Sequence, residues 1–346
     1  MPEGQVQKAA RIQDVAKAAG VSTATVSRAL SKPDLLSEAT REAVFTAIRE
    51  TGYRVNQSAR NLRRQRAGAV LVLVPNLGNP FFSQILSGLS EVFADSEYSV
   101  LIQDTNHLPS DHRGLVDYFL DSRIDGMISL DGSLSHEALN LMAQSGVADR
   151  ILCACEWVAG VSLPSVRSDN YKGAQLAIRH LHDLGHRRIA HVTGPAENVL
   201  TNVRRDAVLA ARAELGLPSR PEWIMRGDFS LEAGRAAAAN IIGMAMEDRP
   251  SAVFCASDEM AFGLISGLHG AGLSVPGDIS VVGFDDIDLA EYYIPGLTTI
   301  RQDRLAIGRR AAERLLNRLD GGPLRGSDGI DLIDVALVVR GSTRAV

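Results

Sequence analysis

Short apolar runs alternate with helical patterns from residue 69 almost to the end of this chain of 346 residues. Residues 69–74, for example, are apolar at every position, and Phe82, Ile85 and Leu89 then recur at helical spacing. Runs that are apolar throughout are typical of strands buried on both faces, and their alternation with helices predicts parallel sheets. Further runs of this kind occupy residues 99–103, 126–130, 151–154, 189–193, 252–256, 279–284 and 335–339. Because these are too many units for one sheet, the pattern predicts an α/β body of two doubly wound parallel-sheet subdomains.

The amino-terminal 66 residues differ in charge from this body. They contain 12 Lys and Arg against 6 Asp and Glu, although the whole chain has 36 against 41 and a formal charge of −5. A small basic head on a large acidic body places any polyanionic partner at the head.

Residues 12–30 read as two short helices interrupted at Gly20, because glycine enters the left-handed turn region without steric cost. Ser22 is a suitable N-cap for the second helix, and a third helix is predicted between Ser37 and Gly52. The pattern therefore predicts a small all-α head of the helix-turn-helix type.

The second of these helices has an apolar face, formed by Val26, Ala29 and Leu30, that we expect to point inward. The residues left on the outside are Thr23, Ala24, Ser27 and Arg28. Small helical pairs with a Gly turn also occur in many proteins that never bind DNA. The basic charge of this segment nevertheless favours a helix that enters the major groove.

Residues 57–66 form a segment that is too short and too charged to fold alone. Arg60, Arg63 and Arg64 surround the lone apolar residue Leu62. We expect such a segment to become helical only when it is placed on DNA.

The head resembles the DNA-binding headpiece of the lac repressor family. The residues that carry the resemblance are Asp14-Val15-Ala16, Gly20-Val21-Ser22, Thr25-Val26-Ser27-Arg28 and Gly52-Tyr53, followed by the Arg-rich segment. The resemblance continues to the C-terminus, and segments 22–30, 80–83, 226–229, 283–289 and 340–345 are similar to the cytidine-responsive branch of that family. It implies a two-lobed body similar to type I periplasmic binding proteins.

For DNA contacts, the resemblance implies a reading helix and a hinge helix. The residues expected at the DNA are Ser22, Thr23, Ala24, Thr25, Ser27, Arg28, Arg60, Leu62 and Arg63. The planar fork of Arg28 suits guanine O6 and N7, and Leu62 falls where family members wedge a Leu into the minor groove. Many members carry Pro near Val55, so we expect the entry to the hinge to be less rigid here.

Polar and aromatic side chains follow several predicted strands, at the edge where doubly wound sheets bind ligands. The resemblance places an effector pocket there, and the residues expected to bind the effector are Asn76, Phe81, Phe82, Glu156, Arg204, Phe229, Ser257 and Asp285. The carboxylates can accept hydrogen bonds from a vicinal diol, the arginine can donate to a hydroxyl or ring carbonyl, and the phenyl rings can stack on a flat base. Four alternatives stay open: a core role for Phe82, a ligand or core role for Trp157, and helix capping by Asp258 and Asp286.

Three parts are therefore expected, namely a head at 1–56, a hinge at 57–66, and an effector-binding and dimerisation body at 67–346. Within the body, we expect a first subdomain at about 67–168 and 301–328, and a second at about 169–300 and 329–346.

The implied function is that of a cytoplasmic, sequence-specific repressor that binds a palindromic operator as a homodimer. A small molecule, favoured to be a nucleoside that acts as an inducer, would control its operator affinity, and ribose or another sugar is the alternative effector. A solute-binding protein is less favoured, because the head is basic and no apolar leader follows Met1.

Other classes of protein find little support in the sequence. The phosphate-loop, nucleophile-elbow and zinc-protease motifs are absent, so we expect neither an enzyme nor a cofactor or metal. Cys153, Cys155 and Cys255 are expected to be small core residues, and no apolar run reaches the length of a membrane span. The chain has no Leu heptad tail, which favours a dimer over a tetramer.

Overall fold

The structure is a computed structural model that describes residues 10–54, 61, 66–109, 111–322 and 329–346. The chain divides into two compact units, Met1–Ala67 and Gly68–Val346, which we call the head and the body. The predicted hinge residues Arg60, Leu62 and Arg63 lie outside the described residues, so their DNA contacts stay predictions.

The described part of the head contains three α-helices, α1 (Ile12–Ala18), α2 (Thr23–Ser31) and α3 (Glu38–Thr51), and a short 3-10 helix at Pro33–Leu35. The chain turns between α1 and α2 at Gly20, whose φ is +66°, and it leaves α3 at Gly52, whose φ is +64°. Both glycines therefore adopt the left-handed conformation that the sequence pattern requires of them.

Serine side chains cap the second and third helices, as predicted. Ser22 Oγ accepts a hydrogen bond from Thr25 N at 3.1 Å, and Ser37 Oγ accepts one from Thr40 N at 3.4 Å. The buried core of the head consists of Val15, Ala16, Val26, Ala29, Val44 and Ala47. The predicted helix-turn-helix head is confirmed.

In the body, strands and helices alternate along the chain. The strands are β1 (Ala69–Val74), β2 (Ser99–Asp104), β3 (Gly126–Ser129), β4 (Ile151–Ala154), β5 (Ser165–Ser168), β6 (Ile189–Thr193), β7 (Ile224–Arg226), β8 (Ala252–Cys255), β9 (Ser280–Asp285), β10 (Thr298–Gln302), β11 (Ile330–Ile333) and β12 (Val335–Val338). The helices are α4 (Phe81–Ala94), α5 (Leu115–Leu120), α6 (His136–Gln144), α7 (Asn170–Asp183), α8 (Val199–Glu214), α9 (Leu231–Ile242), α10 (Asp258–Gly270), α11 (Leu289–Tyr292) and α12 (Arg304–Leu319).

These strands form two six-stranded sheets, ordered β11-β5-β4-β3-β1-β2 and β12-β10-β9-β8-β6-β7. Neighbouring strands are parallel, as β1 is with β2 and β3, except that β12 runs antiparallel to β10. We call the first sheet with its helices α4, α5, α6 and α12 the first lobe, and the second sheet with α7 to α11 the second lobe. The predicted architecture of two doubly wound sheets is confirmed, with one antiparallel edge strand added.

The borders between the two lobes differ from those expected. Residues 329–346 were expected in the second subdomain, but β11 pairs with β5 in the first sheet. Conversely, Arg301 and Gln302 belong to β10 of the second sheet, so the chain returns to the first lobe only after Gln302. The pattern misses β11 because it is an edge strand, in which Ile330 and Leu332 are 44% and 55% exposed.

Helices α4 and α12 pack against each other in the first lobe, and their backbones approach closely at two glycines. A Cβ on Gly308 would lie 2.1 Å from the carbonyl oxygen of Ile85, and one on Gly88 would lie 2.3 Å from that of Leu305. Because both neighbours are backbone atoms, no side-chain rotation can relieve such an overlap. The two helices therefore form a tightly fitted pair.

We expect Gly308→Ala to lower the free energy of unfolding by about 1–3 kcal/mol, because the added methyl must push α4 and α12 apart. Urea denaturation of the full chain measures this value. Gly270→Ala is the matched control, since a Cβ at that helical glycine meets nothing within 4 Å. Equal stability of the two variants would contradict the close approach.

Candidate functional site

The surface of α2 carries the residues predicted to read DNA bases. The exposed ones are Ser22, Thr23, Ala24 and Arg28, and the half-buried ones are Thr25 and Ser27. The hydroxyls of Thr25 and Ser22 share a hydrogen bond of 2.9 Å, so they are engaged within the head. Arg28 lies one turn after Ala24 on the same face of α2. Its guanidinium is therefore the strongest donor that this face presents to a partner.

In the body, loops and helix starts from both lobes border one cavity of about 390 Å³. All eight residues predicted to bind the effector line it, namely Asn76, Phe81, Phe82, Glu156, Arg204, Phe229, Ser257 and Asp285. They meet because parallel strands deliver their carboxyl ends to one edge of each sheet. Their part in effector binding stays a prediction.

The cavity also includes polar residues that were not predicted. Asn106 and Asp131 follow β2 and β3, so the rule that selected the other positions could have selected them too. Asn198 is the N-cap of α8, where its Oδ1 accepts hydrogen bonds from the backbone of Leu200 and Thr201. Its N-cap position before an apolar helix was the available signal.

Asp285 ends β9 with strained backbone geometry and a buried side chain. Its φ is +123°, a value that residues other than glycine rarely adopt, and its side chain accepts a hydrogen bond from Gln302 Nε2 at 2.7 Å. Burial raises the pKa of this carboxyl to about 6, although the charge of Arg204 opposes the rise. Strain of this kind concentrates at ligand-binding positions.

Glu156 is held in place from both lobes. Its Oε2 accepts a hydrogen bond from Gly132 N at 2.9 Å, and its Oε1 accepts one from Asn198 Nδ2 at 2.8 Å. Burial raises the pKa of this carboxyl to about 7, and the two hydrogen bonds oppose the rise. The cavity thus contains a carboxyl group that changes charge near neutral pH.

Arg204 is the buried cation of the cavity. Its Nε donates to Asn170 Oδ1 at 2.9 Å, its Nη1 donates to the carbonyl of Ala256, and its guanidinium lies 3.8 Å from the ring centre of Phe284. Burial lowers its pKa, and Asp285 is the first of the carboxylates that counter this. These contacts fix the orientation of the guanidinium fork.

Aromatic rings form the apolar part of the cavity wall. Phe81 and Phe82 meet edge to face with ring centres 5.1 Å apart, and both also belong to the buried core. Phe229 has a φ of +69° and lies against Gly194, where a Cβ would be 2.2 Å from the ring. Phe82 therefore belongs to the core and also lines the cavity, and its contact with an effector stays a prediction.

The other three alternatives that the sequence left open concern Trp157, Asp258 and Asp286. Trp157 stacks on Arg167 at 3.9 Å and does not line the cavity. Asp258 accepts hydrogen bonds from Ile287 N at 2.9 Å and Thr299 Oγ1 at 2.5 Å, whereas Ser257 caps α10. The carboxylate of Asp286 forms ion pairs with two arginines rather than capping a helix.

The cavity is acidic. Its charged lining residues are Asp131, Glu156, Glu197, Asp228, Glu259, Asp285 and Arg204. Six carboxylates around a single arginine repel anions, so this lining favours a neutral ligand rich in hydroxyl or amino donors.

Cysteine and metal chemistry find no support in the described part of the chain. All three cysteines are buried and unpaired, and burial raises the pKa of the Cys153 thiol to about 11. Among the described residues, no cluster of three or more His, Cys, Asp or Glu side chains could hold a metal ion. Within the same residues, no helix is long and apolar enough to cross a membrane.

Two family models match the chain. Residues 11–56 match the bacterial regulatory proteins of the lacI family, and residues 178–343 match a periplasmic binding protein-like domain.

Named relatives match almost the full length of the chain. The HTH-type transcriptional repressor CytR of Escherichia coli K12 is 40% identical over 340 residues, which is 98% of each chain. The crystal structure of the lac repressor dimer bound to operator and an anti-inducer is 29% identical with a TM-score of 0.83, and the match covers 98% of this chain and 100% of that one. A regulator of the same family from Enterococcus faecium with bound ribose is 28% identical with a TM-score of 0.70, over 80% of this chain and 99% of that one.

We expect the free energy of unfolding of the wild type to fall relative to that of Glu156→Gln as pH rises from 5 to 8. The folded carboxyl binds its proton more tightly than the unfolded one, because burial raises its pKa to about 7. Below the pKa that the carboxyl has in the unfolded chain, this tighter proton binding stabilises the fold. That stabilisation, up to about 3 kcal/mol, is lost as pH rises through the pKa of the carboxyl in the folded protein. Urea denaturation at four pH values measures the difference, with the exposed Glu313→Gln as control; a pH-independent difference would contradict the prediction.

Proposed function

The chain belongs to the lacI family of bacterial regulatory proteins and is a DNA-binding transcriptional repressor, and on this basis we propose that a nucleoside controls its affinity for a palindromic operator. The nucleoside binds the cavity between the lobes, changes their relative arrangement and releases the DNA. The observation that carries this proposal is the convergence of Asp285, Glu156, Arg204 and Phe229 on one acidic cavity.

Reading of the operator falls to α2 in this proposal. Arg28 is exposed on the face that also carries Thr23 and Ala24, beyond a buried face formed by Val26 and Ala29. A guanidinium in that place donates two parallel hydrogen bonds to guanine O6 and N7. Ala24 and Thr23 are small enough to let α2 approach the base edges closely.

We expect Arg28→Ala to weaken binding to the preferred operator by roughly 5- to 150-fold, since one bidentate base contact contributes about 1–3 kcal/mol. The operator is the duplex that the wild type selects from a random pool, and affinity is measured by fluorescence anisotropy at fixed salt. Arg28→Lys is the matched control, because it keeps the charge and removes the planar fork. It should lose operator affinity but keep affinity for scrambled DNA; an equal loss on both duplexes for each variant would exclude base reading by Arg28.

Three features of the cavity support a nucleoside over other small molecules. Buried carboxylates suit the vicinal diol of a ribose ring, and the fixed fork of Arg204 suits a carbonyl or hydroxyl. Phe81 and Phe229 offer apolar faces for a flat base. The alternative is a free sugar such as ribose, which the diol-binding groups would also suit and which the Enterococcus faecium regulator holds.

We expect cytidine or adenosine to raise the melting temperature of the full chain, and ribose alone to raise it far less, because only the nucleoside covers the aromatic wall. The 5′-monophosphate of the same nucleoside should give no shift, since its charge meets six carboxylates. Thermal-shift titration measures all three. Asp285→Asn should abolish the shift and leave operator affinity unchanged; a full shift with ribose, or with the monophosphate, would overturn the nucleoside proposal.

Exposed apolar side chains in both lobes are the candidates for a dimer contact in this proposal. Leu101 and Ile102 are 40% and 48% exposed on the edge strand β2, and Leu77, whose amide donates to Asp104, is 50% exposed. In the second lobe, Leu289 and Tyr292 are 52% and 76% exposed. A second copy that covers these residues would form the homodimer that a palindromic operator requires.

A further inference from the structure

The end of β9, where Asp285 lies, and the loop that follows it are bound at several points by the end of β10 and the start of α12. Gln302 Nε2 donates to Asp285 at 2.7 Å, and Arg301 Nε donates to Asp286 Oδ2 at 2.6 Å. Arg304 Nη2 donates to the carbonyl of Asp286 at 3.0 Å and to Asp288 Oδ1 at 3.1 Å. The effector residue Asp285 and the first turn of α12 are thus parts of one hydrogen-bonded unit.

The same loop also contacts the first lobe through α4. Gln84 Nε2 donates to Asp288 Oδ1 at 2.8 Å, across 204 positions of sequence. Gln84 lies one turn after Phe81, which lines the cavity. Asp288 therefore accepts hydrogen bonds from both helices of the closely packed α4–α12 pair.

Arg304 makes this contact energetically important. The residue is 3% exposed, and its Nε has no hydrogen-bond partner among the described residues. A buried guanidinium is costly unless carboxylate or carbonyl oxygens surround it, so Asp288 and the carbonyl of Asp286 stabilise the position of Arg304. Asp288, by contrast, is 75% exposed in its side chain and can leave this contact for water.

From these contacts we propose that Gln84, Asp288 and Arg304 form a latch that links the effector residue Asp285 to the α4–α12 pair. The inference rests on the proposed function and deepens it, because it assigns the step between ligand binding and lobe movement. Gln84, Asp288 and Arg304 are positioning residues, since none of them lines the 390 Å³ cavity. The whole chain is similar to the operator-bound lac repressor dimer, with a TM-score of 0.83. In this proposal the closed latch holds the DNA-binding arrangement of the lobes.

A ligand shifts an equilibrium between two arrangements only by its differential affinity for them. If the latch holds the DNA-binding arrangement, its loss should lower operator affinity before any ligand is added. Addition of the effector should then lower it little further. A contact that only stabilises the fold would leave the ratio of operator affinities without and with effector unchanged.

The test uses the full chain with Asp288→Ala and Gln84→Leu, and measures operator affinity with and without saturating cytidine or adenosine. We expect each variant to bind the operator at least threefold more weakly than the wild type and to lose most of the response to the nucleoside. Nucleoside affinity by calorimetry should change less than threefold. The double variant should resemble the single ones, because each single substitution already removes the contact between Gln84 and Asp288.

Asp206→Ala is the matched control, since Asp206 is an exposed carboxylate of the second lobe that pairs only with its neighbour Arg205 among the described residues. Operator affinity and nucleoside response equal to those of the wild type in both latch variants would overturn the latch. A parallel loss of nucleoside affinity would also overturn it, because it would place these residues in the binding site. If no nucleoside changes the operator affinity of the wild type, the proposed effector is contradicted instead. The drop in operator affinity of the latch variants without ligand then still tests the latch.

Discussion

Strand direction is the constraint on which the rest of the body depends. Because β1 to β5 and β6 to β10 run parallel within their sheets, each strand delivers its carboxyl end to the same edge. Asp285, Glu156 and Phe229 lie far apart in sequence and reach one cavity for this reason alone. The helices that must return the chain between parallel strands then supply the other wall, as Phe81 does at the start of α4.

The cavity retains charged groups that an apolar core would exclude. Arg204 is buried, and it is tolerated because Asn170, the carbonyl of Ala256 and the ring of Phe284 surround its guanidinium. Glu156 is likewise held by one residue from each lobe. Buried charged groups cost folding free energy unless they are paired, and a cluster of them around a cavity marks a candidate ligand site.

The elements that a local pattern could predict are those whose own residues decide their structure. β1 is apolar at every position, and α2 and α3 begin at serine caps, so short stretches of sequence sufficed to predict them. β5 and β11 carry polar or exposed residues and become strands through pairing, β5 with β4 and β11 with β5, which no local pattern records. The predicted pocket residues follow strands in sequence, whereas the contact between Gln84 and Asp288 spans 204 positions and could not be read from either segment.

The contact between Phe229 and Gly194 has a consequence for how ligand preference can change among relatives of this chain. The ring occupies space that any larger residue at position 194 would need, so the missing side chain on one loop shapes the aromatic wall supplied by another. In a relative with alanine at this position, the phenyl ring must therefore move, and the shape of the cavity changes with it. A substitution at a position outside the cavity lining would in this way change the shape of the cavity itself.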